Sequence, residues 1–287
     1  MKKAFLLSIP LLFLSTVCGH RQSADSPSSN SAVVPESLIN TEGKTIKERI
    51  PTPENYERIS LDEQSFGYYL RNLPLKPHGS EVRLYNGQIK ANAVHVAVID
   101  MDIGIRDLQQ CADAVIRLRS EYLYRNKLYG LIHFNFTSGF RADYVQWANG
   151  YRVEVKANQA KWVRKANMSY EYDVFRQYLD IIFTYSGTFS LEQELDRAEY
   201  WDIQPGDILI RGGSPGHAVI VIDVAVNKNI GQKIYLLAQS YMPAQDIHVL
   251  KNPSNPDLSP WYEVDLATEI IRTPEWDFYP DELRRFE

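Results

Sequence analysis

Three residues in this chain have the types and order that nucleophilic chemistry needs. Cys111 precedes an apolar, helix-periodic run, His217 opens a β-branched run directly after a glycine-rich turn, and Gln239 ends the next such run. Thiol catalysis requires a nucleophilic sulfur, a base within reach, a group that holds the base in one tautomer, and donors for a developing oxyanion. Cys111 is the candidate nucleophile and His217 the candidate base. Gln239 is the candidate orienting group, with Ser240 as its rival if the hairpin register shifts by one residue.

The elements that must position these residues are readable from periodicity. From Asp107 to about Arg125, residues Leu108, Ala112, Val115 and Tyr122 recur near helical spacing. Asp107 is the expected N-cap and Gln110 completes a capping box. Cys111 then falls in the first turn, where free amides and the helix dipole favour thiolate over thiol. Strands are expected over 208–210, 217–224 and 234–240. The last two form a hairpin around Asn229 and Gly231, and a further strand is expected near Asp246 to Leu250. Upstream, Gln64 to Asn72 reads as a short helix ended by the Pro74 and Pro77 stretch, and Glu81 to Tyr85 and Ala93 to Ile99 read as strands. Between 131 and 200 the chain is rich in aromatics, among them Trp147, Trp162, Phe175 and Tyr178. A strand is expected at Leu131 to Phe136, a helix at Tyr170 to Phe183, and a Ser190-capped helix at Leu191 to Ala198. Aromatics in such number belong more to a core than to a cleft.

The N-terminus sets the expected compartment. Lys2 and Lys3 precede an apolar run from Ala4 to Leu14 and then Thr16-Val17-Cys18-Gly19, the layout of a secretory signal over residues 1–17. The run is too short to span a membrane. A cysteine at that point resembles the lipobox of bacterial lipoproteins, which implies lipidation of Cys18, export, and a membrane anchor facing the periplasm or the cell surface. Residues 18–55, rich in Ser, Asn, Pro, Glu and Thr, read as a disordered tether, and 56–287 as one folded domain. The chain holds two cysteines, so with Cys18 lipidated Cys111 has no disulfide partner. Lys and Arg number 31 against 36 Asp and Glu, a formal charge of −5. That excludes a basic nucleic-acid footprint. No cofactor motif is present, and His78, His95, His133 and His248 lack metal-ligand spacing, so no metal or cofactor is expected.

The order of these stretches resembles the NlpC-type and CHAP-type cell-wall peptidases of the papain-like superfamily. The matching stretches are Asp107 to Cys111, Pro205 to Leu209, Gly216 to Ile220 and Ala238 to Ser240. The resemblance implies an α+β papain-like core, with the cysteine helix packed on an antiparallel sheet and the region 131–200 as an aromatic-rich insertion. It further implies Cys111 as nucleophile, His217 as base and Gln239 as orienting residue. Those peptidases usually carry Asp-Cys-Ser-Gly where this chain has Gln110-Cys111-Ala112-Asp113. Over most of its exported length the sequence also resembles a family of Gram-negative lipoproteins described as a domain of unknown function, through DLQQCADA, GGSPGHAVIV and LLAQSYMPAQ.

The expected function is therefore hydrolysis or transfer at an amide bond in the cell envelope, with peptidoglycan stem peptides as substrate class. The alternative is a non-catalytic lipoprotein that binds an envelope glycan or protein through its aromatic region. Other motifs rank lower. Gly212-Gly213-Ser214-Pro215-Gly216 matches G-x-S-x-G, but a strand rather than a helix is expected after Ser214. Asp100 and Asp102 could pair for glycoside chemistry, yet read better as solvated loop residues. His133 and Asn135 share one strand face and could line the cleft.

Overall fold

Nine consecutive residues, His217 to Ala225, are buried, and seven of them are apolar or β-branched. Such a run is satisfied only in a strand covered on both faces, and this strand is the centre of the fold. The structure is a computed structural model and describes residues 38–287. The expected signal segment, Cys18 and most of the expected tether lie outside the described residues.

In chain order the elements are α1 (Ile46–Arg49), β1 (Tyr56–Arg58), α2 (Phe66–Arg71), β2 (His95–Val98) and α3 (Cys111–Arg125). There follow β3 (His133–Asn135), β4 (Arg141–Asp143), α4 (Tyr144–Ala148), β5 (Tyr151–Lys156), β6 (Gln159–Arg164), α5 (Tyr172–Tyr185) and α6 (Thr188–Glu194). The last part has no α-helix among the described residues, and its strands are β7 (Asp196–Arg197), β8 (Ile208–Arg211), β9 (His217–Asn227), β10 (Lys233–Gln239), β11 (His248–Leu250), β12 (Tyr262–Glu263), β13 (Ile271–Arg272), β14 (Asp277–Phe278) and β15 (Leu283–Arg285). The main sheet runs β2-β11-β10-β9-β8-β15-β7, with β1 added on β9 and β12 on β10. Every pairing in it is antiparallel. The chain is thus a mixed α/β protein built on one large antiparallel sheet with few helices.

Strand alternation divides the core in two. Ile208, Ile210, Ala218, Ile220 and Ile222 face one cluster, which takes in Ala114, Val115 and Leu118 of α3. Leu209, Val219 and Val221 face the other, with Tyr235, Phe278 and Leu283. The aromatic region joins the first cluster: Tyr144, Trp147, Phe175 and Tyr178 are buried there. Their packing extends the core under α3, as expected of aromatics.

Several boundaries differ from the sequence reading for local reasons. The tether expected through 55 is already ordered by α1, because Ile46 and Ile50 are fully buried and the Thr45 hydroxyl accepts from Glu48 N–H at 3.3 Å. A polar composition hid two apolar anchors at i and i+4. Helix α3 begins at Cys111, with Gln110 rather than Asp107 as N-cap. Asp107 is diverted: its Oδ1 accepts from Ala244 N–H at 2.7 Å and from the Gln110 amide at 3.0 Å. The residue that reaches back to the Gln110 N–H is Asp113, at 3.0 Å. Helix α6 starts at Thr188, before Ser190, whose hydroxyl accepts from Gly187 N–H at 3.1 Å. Residues 81–85 form only isolated bridges, Arg83 to Ile89 and Leu84 to Gln245, in place of a strand.

Candidate active site

The site forms where the start of α3 meets the start of β9. Gly216 makes that approach possible: a Cβ there would stand 2.5 Å from Thr188 Oγ1, 2.6 Å from Gly213 O and 2.8 Å from Arg211 O. Only glycine tolerates such contacts. His217 then enters the sheet opposite Arg211 of β8. On the other side, β10 pairs Ala238 with Ile220, which leaves Gln239 one step from His217 on the same face.

The imidazole and the amide meet. His217 Nε2–H donates to Gln239 Oε1 at 2.8 Å. Ser240 turns away, its hydroxyl lying between Gln109 O at 2.9 Å and Gln245 O at 2.8 Å. It thereby ties the end of β10 to the loop that delivers Cys111. The His217 ring packs among Tyr241, Trp276 and Phe278, at centroid distances of 5.0, 5.6 and 5.9 Å. That apolar setting disfavours the imidazolium, and burial pulls His217 down to about 4 although the Gln239 bond opposes it.

Cys111 is buried and free. The backbone amides of Ala112, Ala218 and Cys111 itself favour its anion, and Ala218 is the residue after His217. Tyr241, which packs on His217, also lies close enough to feel the charge of Cys111. The start of α3 and the start of β9 therefore meet at one end of the sheet, where His217 in turn meets the Gln239 amide. Among the described residues no hydrogen bond joins thiol to imidazole, and His217 Nδ1 is the ring nitrogen left open. The expected thiolate is not the resting form. Burial first, and the Asp113 carboxyl second, push the Cys111 thiol up to about 11, outweighing the three amides. The helix dipole is worth about 0.3–1 kcal/mol at an exposed terminus, too little against desolvation of a buried anion. Asp113 is itself held well above the carboxylate range by burial, and its Oδ1 has no partner among the described residues.

Beside the thiol opens a cleft of about 510 Å³, walled by Phe183, Phe189, Thr137, Pro215 and Met242. A second cavity of about 520 Å³ lies between α2 and α3, around Tyr69, Arg117, Glu121 and Tyr172, and contains none of the three candidate residues. Its polar centre is a buried cluster in which Arg117 bonds Glu121 at 2.6 Å and Gln109 Oε1 at 3.0 Å.

The other candidates disperse. Ser214 is exposed at a turn and is followed by β9, not by a helix. Asp102 pairs with Arg117 and Arg176, and Asp100 is exposed. His133 and Asn135 line a different cavity, with Arg119 and Glu194, away from Cys111. Among the described residues no group of three or more His, Cys, Asp or Glu could hold a metal ion. No helix of the described residues is long and apolar enough to cross a membrane.

Behind Gln239 lie groups that the sequence did not point to. Gln239 Nε2 donates to Glu275 Oε2 at 2.7 Å, and Lys90 Nζ holds the other oxygen of Glu275 at 2.7 Å. Glu275 and Trp276 sit in the turn between β13 and β14, far along the chain, where no periodicity could flag them. The one signal available was chemical: a buried amide whose oxygen serves a histidine needs acceptors for its two N–H groups.

This arrangement spans the region that defines a family. The chain belongs to the family described as domain of unknown function 4846, matched over residues 46–285. The match contains every residue of the site, from Lys90 to Glu275. Comparison with curated proteins and with solved structures gave no match.

Proposed function

We propose that this chain is a thiol hydrolase or transferase of the cell envelope that acts on an amide bond through an acyl-thioester on Cys111. The observation that carries the reading is the pairing of His217 Nε2–H with Gln239 Oε1 at 2.8 Å, next in the chain to Ala218, whose amide favours the Cys111 anion. This pairing leaves Nδ1 unprotonated and free to take the thiol proton. A papain-like core is part of the same reading, supported by a cysteine at a helix start packed on an antiparallel sheet, a Gly-His strand and a polar residue on the neighbouring strand.

The resting pair is neutral. With the thiol near 11 and the imidazole near 4, moving the proton between them uphill costs roughly 10 kcal/mol at 1.36 kcal/mol per pH unit. At the separation of about 4 Å that proton transfer requires, attraction between thiolate and imidazolium returns about 4 kcal/mol. The remainder fits within the barrier of a working enzyme, which for a turnover of about 10 per second is roughly 16 kcal/mol. Cys111 attacks the carbonyl as Nδ1 of His217 takes its proton. The amides around the sulfur stabilise the oxyanion, and His217 returns the proton to the leaving amine. Water or a second amine then attacks the thioester, so the outcome is hydrolysis or transfer.

The substrate class is peptidoglycan stem peptide, from the expected export and Cys18 anchoring and from the resemblance to cell-wall peptidases. The cleft walls of Phe183, Phe189 and Met242 suit a neutral chain segment. The test is the intermediate. Mixing the protein with sacculus-derived peptides and quenching in acid should give an adduct that maps to Cys111 by mass. No adduct, or one that persists in Cys111→Ala, would sink the proposal.

A further inference from the structure

A glutamine amide can sit in two orientations that fill the same space, and only hydrogen bonding separates them. For Gln239 the choice decides the chemistry of His217. With Oε1 toward the ring, Nε2 of His217 must carry the proton and Nδ1 keeps its lone pair. With the amino group toward the ring, Nε2 must be the acceptor, the proton moves to Nδ1, and the nitrogen left for Cys111 can no longer act as base.

Gln239 touches two further groups, and both accept. Glu275 Oε2 lies 2.7 Å from Gln239 Nε2, and a carboxylate offers no proton. His248 Nε2 lies 3.5 Å from the same nitrogen. His248 Nδ1 meets the Asp246 carbonyl at 2.9 Å, which only an Nδ1–H can do, so its Nε2 is a lone pair. Glu275 is in turn anchored by Lys90 Nζ at 2.7 Å, and Lys90 lies 5.0 Å over the Tyr241 ring that also packs on His217. Gln239 is 1% exposed, and the Glu275 and Lys90 side chains are 12% and 9% exposed, so water competes little for these bonds.

We propose that Glu275 is a positioning residue: by accepting from the Gln239 amino group it fixes the amide orientation and with it the His217 tautomer that keeps Nδ1 free for Cys111. The proposal rests on the reading of Cys111 and His217 as nucleophile and base. Lys90 supports it by holding the carboxylate in place. His248 supplies a weaker acceptor on the same side, so loss of Glu275 loosens the orientation without removing every constraint.

The test reads the tautomer directly, by long-range nitrogen–proton correlation spectra of protein labelled with ¹⁵N-histidine. Wild type should show His217 protonated at Nε2 alone. Glu275→Leu should populate the Nδ1–H form to a tenth or more, and Glu275→Gln, whose carbonyl can still accept, should restore the wild-type pattern. The second readout is acylation of Cys111 by p-nitrophenyl acetate, which should slow across the variants in proportion to the lost Nε2–H population. A merely structural role would not produce that proportionality. An Nδ1–H tautomer in wild type, or an unchanged tautomer in folded Glu275→Leu, overturns the proposal. If Glu275→Leu does not fold, the wild-type spectrum and Glu275→Gln still decide it, since a Glu275→Gln that loses the tautomer without rescue contradicts acceptor-based positioning. If the Cys111→Ala protein releases nitrophenolate as fast as wild type, the thiol mechanism fails while the tautomer result stands on its own.

Discussion

Replacing His217 by alanine tests whether the resting site is a neutral pair or an ion pair. In the structure the imidazole is held near 4 by the surrounding Tyr241, Trp276 and Phe278 rings, and the thiol near 11. At pH 7.5 the thiolate fraction of a group at 11 is about 3 × 10⁻⁴. An ordinary thiol near 8.5 would be about one-tenth ionised, so Cys111 should react roughly 300-fold more slowly with iodoacetamide than a free thiol. A neutral ring contributes no charge, so His217→Ala should move the alkylation midpoint by less than about half a pH unit. An imidazolium about 4 Å from the sulfur would instead contribute about 4 kcal/mol, or about 3 pH units, which alanine would abolish. The assay is intact-mass alkylation of unlipidated protein carrying Cys18→Ala, followed from pH 6 to 11. A wild-type midpoint below 7 that rises by several units in His217→Ala would refute the neutral-pair account.

Three further outcomes follow from the same geometry. Asp223 is fully buried between Arg58 at 2.5 Å and Arg71 at 2.7 Å; Asp223→Ala strands Arg71 in the core and should cost about 3–5 kcal/mol in urea unfolding. Unchanged stability would mean that the arginines find other partners. Gly216→Ala drives a methyl into Gly213 O and Arg211 O; it should lower the melting temperature and displace His217, with at least a tenfold loss of Cys111 acylation. Wild-type rates in that variant would show that the strand start is not held as described. His248 is buried and drawn down to about 3. Its unfolded form binds a proton below about 6.5 while the folded form does not, so its share of stability is present above 6.5 and lost as pH falls toward 3. That share is roughly 5 kcal/mol by linkage. His248→Gln should therefore lose less stability than wild type between pH 6.5 and 3.5, and parallel stability curves for the two proteins would contradict this.

The elements nearest the site were the most legible, because their patterns are local. The run from His217 is too continuously apolar to be anything but a central strand, and the Gly216 turn before it announces a close approach. The hairpin to β10 follows from its turn, and its register delivers Gln239, not Ser240, to the imidazole. What sequence obscured was decided by competition between partners. Asp107 looks like an N-cap but is bound by the Ala244 amide 137 residues away, leaving Asp113 to reach back to the helix start. The state of the thiol is not legible in sequence for a related reason: a helix start favours the anion, but how deeply the sulfur is buried depends on packing that periodicity cannot report. Glu275 and Lys90 are 185 residues apart and meet only in the folded chain. The tether was over-extended because composition averages over Ile46 and Ile50, two residues sufficient to anchor it.

The central claim is that Cys111 is the nucleophile for an envelope amide. Digestion of purified sacculi by wild type and by Cys111→Ala, with both folds checked by circular dichroism and the released fragments identified by mass, tests it most directly. The account predicts fragments ending at one class of amide bond with wild type and none with Cys111→Ala. Equal release by both proteins, or intact sacculi with folded wild type, would contradict it.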